Sequence, residues 1–264
     1  MSSFIIRIGD YNVPMYSDID NIQSQIPIII ESNKFKNYIQ KINTEFIQPK
    51  FIRIDAVKWF CKLSDIAPNK LGFLFMEVTA IDKRTGLLIP GVVFLRGDSV
   101  GISIYVEVIK QEKTPLCGSL RPKKPNEKYA LLTKQIRIPC GDFIYEITAG
   151  MVDGEGNIAG VAIKEIEEET GLKVPNIEEL IPLGNPIIPS GGGCDETIQL
   201  YHWNVKVTEQ QFIEMQTKIY GEKKENETIR LEMVPLNIYE RKLLEYGDAK
   251  AISAHHHINA LKII

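Results

Sequence analysis

From Phe51 to Ile147 the sequence is written largely in strand pattern, and at Asn157 the period changes. Ile158, Ala162 and Ile166 recur four apart through Thr170, with Asn157 where a helix N-cap is wanted and Gly171 where the C-terminal cap is wanted. Ahead of this helix, residues 73–81 and 87–95 flank the loop 82–86, which ends in Gly86 and reads as a hairpin connection. Residues 100–109, 129–138 and 143–147 read as further strands, and the Lys- and Pro-rich stretch 110–128 as a solvated loop. Beyond the helix come a strand over 196–207, a helical segment to about Tyr220, a polar loop over 221–227 and a strand over 228–234. Two further helices are expected over 236–246 and 249–261. The first fifty residues are mixed: 4–8 and 13–16 suggest a hairpin, and 35–47 has helical spacing through Tyr38, Ile42 and Phe46. The order predicts an α/β protein, with an N-terminal β-rich domain over 1–95 and an α/β core over 96–264.

The composition narrows what such a chain can do. At 44% hydrophobic and 25% charged, it carries enough apolar side chain to offset the entropy of ordering, which excludes a disordered chain. Thirty-one Lys and Arg against 34 Asp and Glu give a formal charge of −3, with no basic footprint for nucleic acid. No apolar run approaches the length of a membrane span, and Pro27 interrupts the nearest. Cys61, Cys117, Cys140 and Cys194 form no CxxC pair, so neither a disulfide framework nor a zinc ribbon is indicated. Scattered thiols, a short apolar start and acidic residues at 10, 18 and 20 predict a cytoplasmic protein without a secretory or transit leader. His255, His256 and His257 are consecutive on an expected helix, point to three faces and cannot share one metal.

The helix beginning at Asn157 carries an unusual burden. Glu165, Glu168 and Glu169 share one face, and Ile166 points away from it. Like charges so spaced repel by roughly 0.2–0.5 kcal/mol per pair in water. They also stand in the last turn, where the helix dipole disfavours anions. This placement is poor for the helix and good for a hard cation such as Mg²⁺, which takes oxygen ligands from carboxylates and from substrate phosphates.

The segment 150–172 reads GMVDGEGNIAGVAIKEIEEETGL and resembles the Nudix box: a Gly, five residues, a Glu, seven residues, then Arg-Glu-U-x-Glu-Glu-x-Gly-U with U aliphatic. Gly150, Glu165, Ile166, Glu168, Glu169, Gly171 and Leu172 fall in register. Two positions depart: Gly156 stands in place of the first Glu, with Glu155 one residue earlier, and Lys164 in place of the Arg. In the family those two side chains support the loop and helix, so the local ion pair is altered and the ligand positions are kept. Segments 90–97, 135–139, 146–151 and 189–196 extend the likeness over roughly residues 60 to 262, and are similar to the ADP-ribose and ADP-sugar pyrophosphatase branch, particularly its plant-type ADP-sugar diphosphatases.

The resemblance implies a Nudix α/β/α sandwich preceded by a small β domain, in homodimers that exchange these domains and so contribute to dimerisation and substrate contacts. It implies Mg²⁺, with Mn²⁺ a possible substitute, held by Glu165, Glu168, Glu169 and the main-chain carbonyl of Ala149, with Glu168 also counted among the catalytic groups. A Glu in the loop before the last strand is the family's base, which leaves Glu225 and Glu227, the latter preferred. Arg96 and Arg137 match substrate-contacting arginines, for which a surface or dimer salt bridge is the competing role. Glu196 matches an acidic position lining the site, and Glu146 either assists or is an edge-strand charge. The run 190–193, with Gly192 at its centre, either offers backbone N–H groups to a diphosphate or is a plain turn. The implied reaction is hydrolysis of the pyrophosphate bond of a nucleoside diphosphate sugar, an ADP-sugar or ADP-ribose, to a nucleoside monophosphate and a sugar phosphate. The box touches only phosphate and metal, so UDP-glucose stays open as substrate, as does a catalytically silent nucleotide-sugar-binding module.

Overall fold

The computed structural model describes residues 3–110, 126–152, 157–222 and 227–263. Glu155, Gly156, Cys117 and Glu225 lie outside the described residues. Contacts divide the chain into two compact units, one drawn from Met1–Asp98, Val152–Gly156 and Ile188–Thr197, the other from Ser99–Met151, Asn157–Ile187 and Ile198–Ile264.

The first unit is built on a five-stranded sheet in chain order: β1 (Phe4–Ile8), β2 (Tyr11–Tyr16), β3 (Ile47–Trp59), β4 (Leu71–Asp82) and β5 (Leu88–Leu95). Only β2 and β3 pair parallel, joined through three short helices, α1 (Asp20–Gln23), α2 (Ile26–Glu31) and α3 (Asn33–Lys41). Met15, Ile26, Ile29, Phe35, Ile52, Leu74 and Met76 are fully buried together and form the core between these helices and one sheet face. Helical spacing predicts a helix to residue 47, yet α3 stops at Lys41, because Ile42 turns extended and Asn43 takes the Glu45 amide in a local turn.

The second unit holds a seven-stranded sheet whose continuous order is β10 (Ile181–Pro182), β11 (Ile198–Thr208), β6 (Ser99–Ile109), β7 (Glu127–Arg137) and β12 (Arg230–Pro235). The central strand β6 runs parallel to β11 along one edge. Its other edge is shared. Ile104–Val108 pair with β7, while Ser99–Ile102 pair with β9 (Thr148–Met151). The far half of β7 turns instead to β8 (Asp142–Glu146). The expected strand over 143–147 is therefore the first of two, and the chain crosses from one partner to the other at Ile147.

Nearly all of β6 is buried, as a strand covered on both faces must be. Tyr105 faces α7 (Ala249–Ala260) through a hydrogen bond to His255, and Tyr239 and Leu243 of α6 (Leu236–Tyr246) join the same core. Ile102, Ile104 and Val106 alternate to the other side and are equally buried, with α4 (Ile158–Thr170) and α5 (Glu209–Thr217) also against β6. This is a mixed α/β fold with helices on both faces of one sheet, preceded by a β-rich region.

Two caps fix the second unit. Asn157 accepts the Gly160 amide and starts α4, and Gly171 closes it in the left-handed region at φ 70°. Asp248 accepts the amides of Lys250 and Ala251 at the start of α7 and, with the same carboxylate, the Ile147 amide at 3.1 Å. That last bond satisfies the backbone group left without a ladder partner where the chain changes strands. Asn157→Ala is expected to cost about 1 kcal/mol, as an exposed cap does. Asp248→Ala, which also strands a buried N–H, should cost roughly 2–4 kcal/mol. Chemical denaturation of both variants checks the order; equal losses would contradict the bridging role of Asp248.

Candidate active site

The crossing at Ile147 brings Ala149 and Gly150 beneath the last turns of α4. Ala149 pairs with Gly101 and Gly150 with Val100 on β6. The Glu165 side chain lies so close over Gly150 that a Cβ there would overlap its carboxyl group. A side chain at residue 150 would therefore displace the Glu165 carboxylate, which here lies against the strand that carries the Ala149 carbonyl.

Glu169, one turn on, is 4% exposed, and its Oε2 is buried without a hydrogen-bond partner. Burial first, then the charges of Glu165, Glu146 and Glu227, push its carboxyl well above the ordinary carboxylate range, against which the Arg137 charge acts weakly. Four carboxylates thus feel one another around a desolvated oxygen. Among the described residues, no three acidic, His or Cys side chains stand together as a group that could by itself hold a metal ion. The orphaned Glu169 oxygen in a field of negative charge nevertheless fits a divalent cation, since oxygen donors and excess charge are what a hard cation takes.

Glu168 stands apart. Its carboxylate lies 3.3 Å from the Lys164 ammonium, one turn back on α4. The Lys164 at the family's Arg position therefore makes a local pair with a box carboxylate. Burial works against the Lys164 charge, but the bond to Glu168 and the charges of Glu168, Glu165 and Glu222 hold its pKa above the usual value. The Glu168 carbonyl accepts the Gly221 amide at 3.2 Å, which ties the loop after α5 to the end of α4. Tyr220 pairs with Ile229 across that loop, and the Glu227 carboxylate accepts the Glu222 amide at 3.4 Å. Glu227 is half-buried, and its charge reaches both Glu169 and Arg137.

Arg137 and Glu146 are brought together. Arg137 Nε donates to Glu146 Oε1 at 2.7 Å, and Gln135 Nε2 donates to the same oxygen at 3.3 Å. Lys250 Nζ donates to Glu146 Oε2 at 2.9 Å and lies 3.1 Å from Asp248. Burial alone would raise the Glu146 carboxyl, but Lys250 and Arg137 outweigh it and hold it below its usual range. For Arg137, burial is likewise overcome by the bond to Glu146 and by the charges of Glu146, Glu169 and Glu227, which raise it. Nothing in the sequence pattern singles out Lys250 or Asp248.

Arg96, Gly192 and Glu196 belong to the first unit. Arg96 Nη1 lies 3.5 Å from Glu196, while its Nε is buried without a partner. The Arg96 and Gly97 amides both donate to Asp195. Gly193 and Cys194 turn their amides onto the Ser190 carbonyl, and Gly193 in turn accepts the Phe94 amide, so this run is a tight turn stitched to β5. A Cβ at Gly192 would meet open space.

The chain matches the model of the NUDIX domain over residues 120–254. It is 30% identical over 239 residues to "Nudix hydrolase 14, chloroplastic" of Arabidopsis thaliana, covering 84% of this chain and 69% of that protein. It is 43% identical over 51 residues to "Putative nudix hydrolase 2" of Caenorhabditis elegans, covering 19% and 23%. A solved structure described as "Crystal structure of ADP compounds hydrolase" is similar with a TM-score of 0.45 at 11% identity, over 81% of this chain and 94% of that one. The box carboxylates on α4, the matched domain and the long relative together establish that the chain belongs to the Nudix hydrolase family.

Proposed function

We propose that this Nudix hydrolase splits the pyrophosphate bond of ADP-sugars or ADP-ribose, with Mg²⁺, into a nucleoside monophosphate and a sugar phosphate. The observation that carries the reading is the buried, unpartnered oxygen of Glu169 among the charges of Glu165, Glu146 and Glu227. Glu165, Glu168, Glu169 and the Ala149 carbonyl would hold the cation, and Mn²⁺ has the same preference for oxygen donors. A bound divalent cation screens the diphosphate and makes water a stronger nucleophile.

We read Glu227 as the group that takes the proton, with Glu225 as the alternative in the same loop. Its carboxylate is held at the loop closure by the Glu222 amide, beside Glu169 and Arg137. Attack of water on phosphorus forms one P–O bond, breaks the bridging P–O bond and passes the water proton to Glu227, while the leaving phosphate departs as a monophosphate. Arg137, oriented by Glu146, offers its remaining N–H groups to a phosphoryl oxygen. We read Arg96, Glu196 and Gly192 as further substrate contacts, on the resemblance of their segments.

The ADP branch rests on the segments 90–97, 135–139, 146–151 and 189–196. We further read 1–95 as a dimerisation domain and 96–264 as the hydrolase domain. In support, Leu88, Val92 and Phe94 of the edge strand β5 and Phe75 of its neighbour β4 are exposed on the sheet face opposite the first unit's core. Free thiols at Cys61, Cys140 and Cys194 suit the reducing cytoplasm.

Incubation with Mg²⁺ and ADP-ribose, ADP-glucose or UDP-glucose should release monophosphate, fastest from the ADP compounds; no release from any of them refutes the reading. Glu169→Gln should lower kcat by roughly a hundredfold or more, since it removes a group that stabilises transition-state charge. Gly150→Ala, which displaces Glu165, should lower turnover while leaving far-UV circular dichroism unchanged. Because Glu169 has a raised pKa in the folded chain, its contribution to stability is complete below the unfolded carboxylate value of about 4.3 and is lost as pH rises through the raised value. The melting temperature of EDTA-treated protein should therefore fall with pH above the ordinary carboxylate range, and Glu169→Gln should flatten that slope. An unchanged slope in the variant would exclude Glu169 as its source.

A further inference from the structure

We propose that Lys250 is a positioning residue for the hydrolase site, holding Glu146 away from the cation so that this carboxylate seats Arg137 instead of becoming a further metal ligand. The inference rests on the hydrolase reading above and concerns residues outside the box.

Both Glu146 oxygens are occupied. Oε1 accepts from Arg137 at 2.7 Å and Gln135 at 3.3 Å, and Oε2 accepts from Lys250 at 2.9 Å. The Glu146 side chain is 7% exposed and that of Lys250 19%, so water does little to screen either. Lys250 is fixed in turn by Asp248, whose carboxylate also caps α7 and holds the Ile147 amide. The ammonium is therefore placed by the same residue that places the strand crossing, immediately beside Ala149 and Gly150. Glu146 already contributes to the negative field at Glu169. Without Lys250, a buried carboxylate in that field has an uncommitted oxygen, and the site is one charge more negative. The two changes act together: a divalent cation is held more tightly, and it is drawn toward Glu146, away from the geometry that serves the diphosphate. A lysine of purely structural use would, on removal, weaken cation binding and turnover alike.

The test is Mn²⁺ binding, read from the loss of the free-ion electron paramagnetic resonance signal, on the full chain and on Lys250→Met, Lys250→Arg, Glu146→Gln and the Lys250→Met/Glu146→Gln pair. Lys250→Met should bind Mn²⁺ roughly fivefold more tightly than the parent, as loss of a nearby cation in a poorly solvated site dictates. Its turnover of ADP-ribose should fall roughly tenfold, the usual scale for residues that orient metal-site groups. Lys250→Arg, which keeps charge and donors, should stay within about twofold of the parent in Mn²⁺ affinity. The double variant, lacking the freed carboxylate, should return to parental affinity. Where Lys250→Met does not fold, Lys250→Gln gives the same direction with a smaller shift, because its amide can still donate to Glu146. A folded Lys250→Met that binds Mn²⁺ no more tightly, or a double variant as tight as the single one, overturns the inference alone. A parent chain that binds no Mn²⁺ overturns the hydrolase reading and the inference together, which separates the two failures.

Discussion

A carboxylate buried beside other carboxylates is the constraint around which the second unit is arranged. Glu169 is almost wholly removed from water and is pressed by the charges of Glu165, Glu146 and Glu227. A fold seeking only stability would put an apolar residue there, because an unpaired buried oxygen and like charges both cost free energy. The surroundings limit that cost without abolishing it. Arg137 and Lys250 neutralise Glu146, Lys164 pairs with Glu168, and Glu169 keeps an oxygen without a partner. Such local disagreement with the rules of stability is what a functional site, rather than a structural core, shows.

The backbone makes this arrangement possible through the division of β6. Because β9 takes one half of its edge and β7 the other, the chain must cross between partners at Ile147, and the crossing sets Gly150 directly under Glu165. Asp248 closes the buried amide at that crossing and at the same time begins α7. One carboxylate thus joins the strand that supplies the Ala149 carbonyl to the helix that supplies Lys250. The chain after α5 is joined to the end of α4 through the Gly221 amide on the Glu168 carbonyl, and Tyr220 pairs with Ile229.

Local chemistry made much of this legible in the sequence. The limits of α4 follow from Asn157 and Gly171, whose caps are short-range bonds, and the shared face of Glu165, Glu168 and Glu169 follows from helical period. The C-terminal helices fall where their apolar spacing places them. Long-range pairing was not legible. That 143–147 and 148–151 are two strands on different partners depends on β6 and β7, about fifty residues away in the case of β6, and no periodicity announces it. The Glu146–Lys250 contact spans 104 residues, so the sequence marked Glu146 as a possible helper but gave no sign of Lys250 as its partner. Likewise Phe35–Lys41 gave a true helical signal that Ile42 and Phe46 continued by chance, with local turn bonds at Asn43 deciding the end.

The central claim is that Glu165, Glu169 and the Ala149 carbonyl would hold one divalent cation. A crystal of the protein grown with Mn²⁺ and read by anomalous diffraction tests it directly. The strongest peak should lie within about 2.0–2.3 Å of Glu169 Oε2 and of oxygens from Glu165 and Ala149, the range for oxygen ligands of such ions. A peak elsewhere with the Glu169 oxygen left bare, or no peak at saturating Mn²⁺, would contradict it.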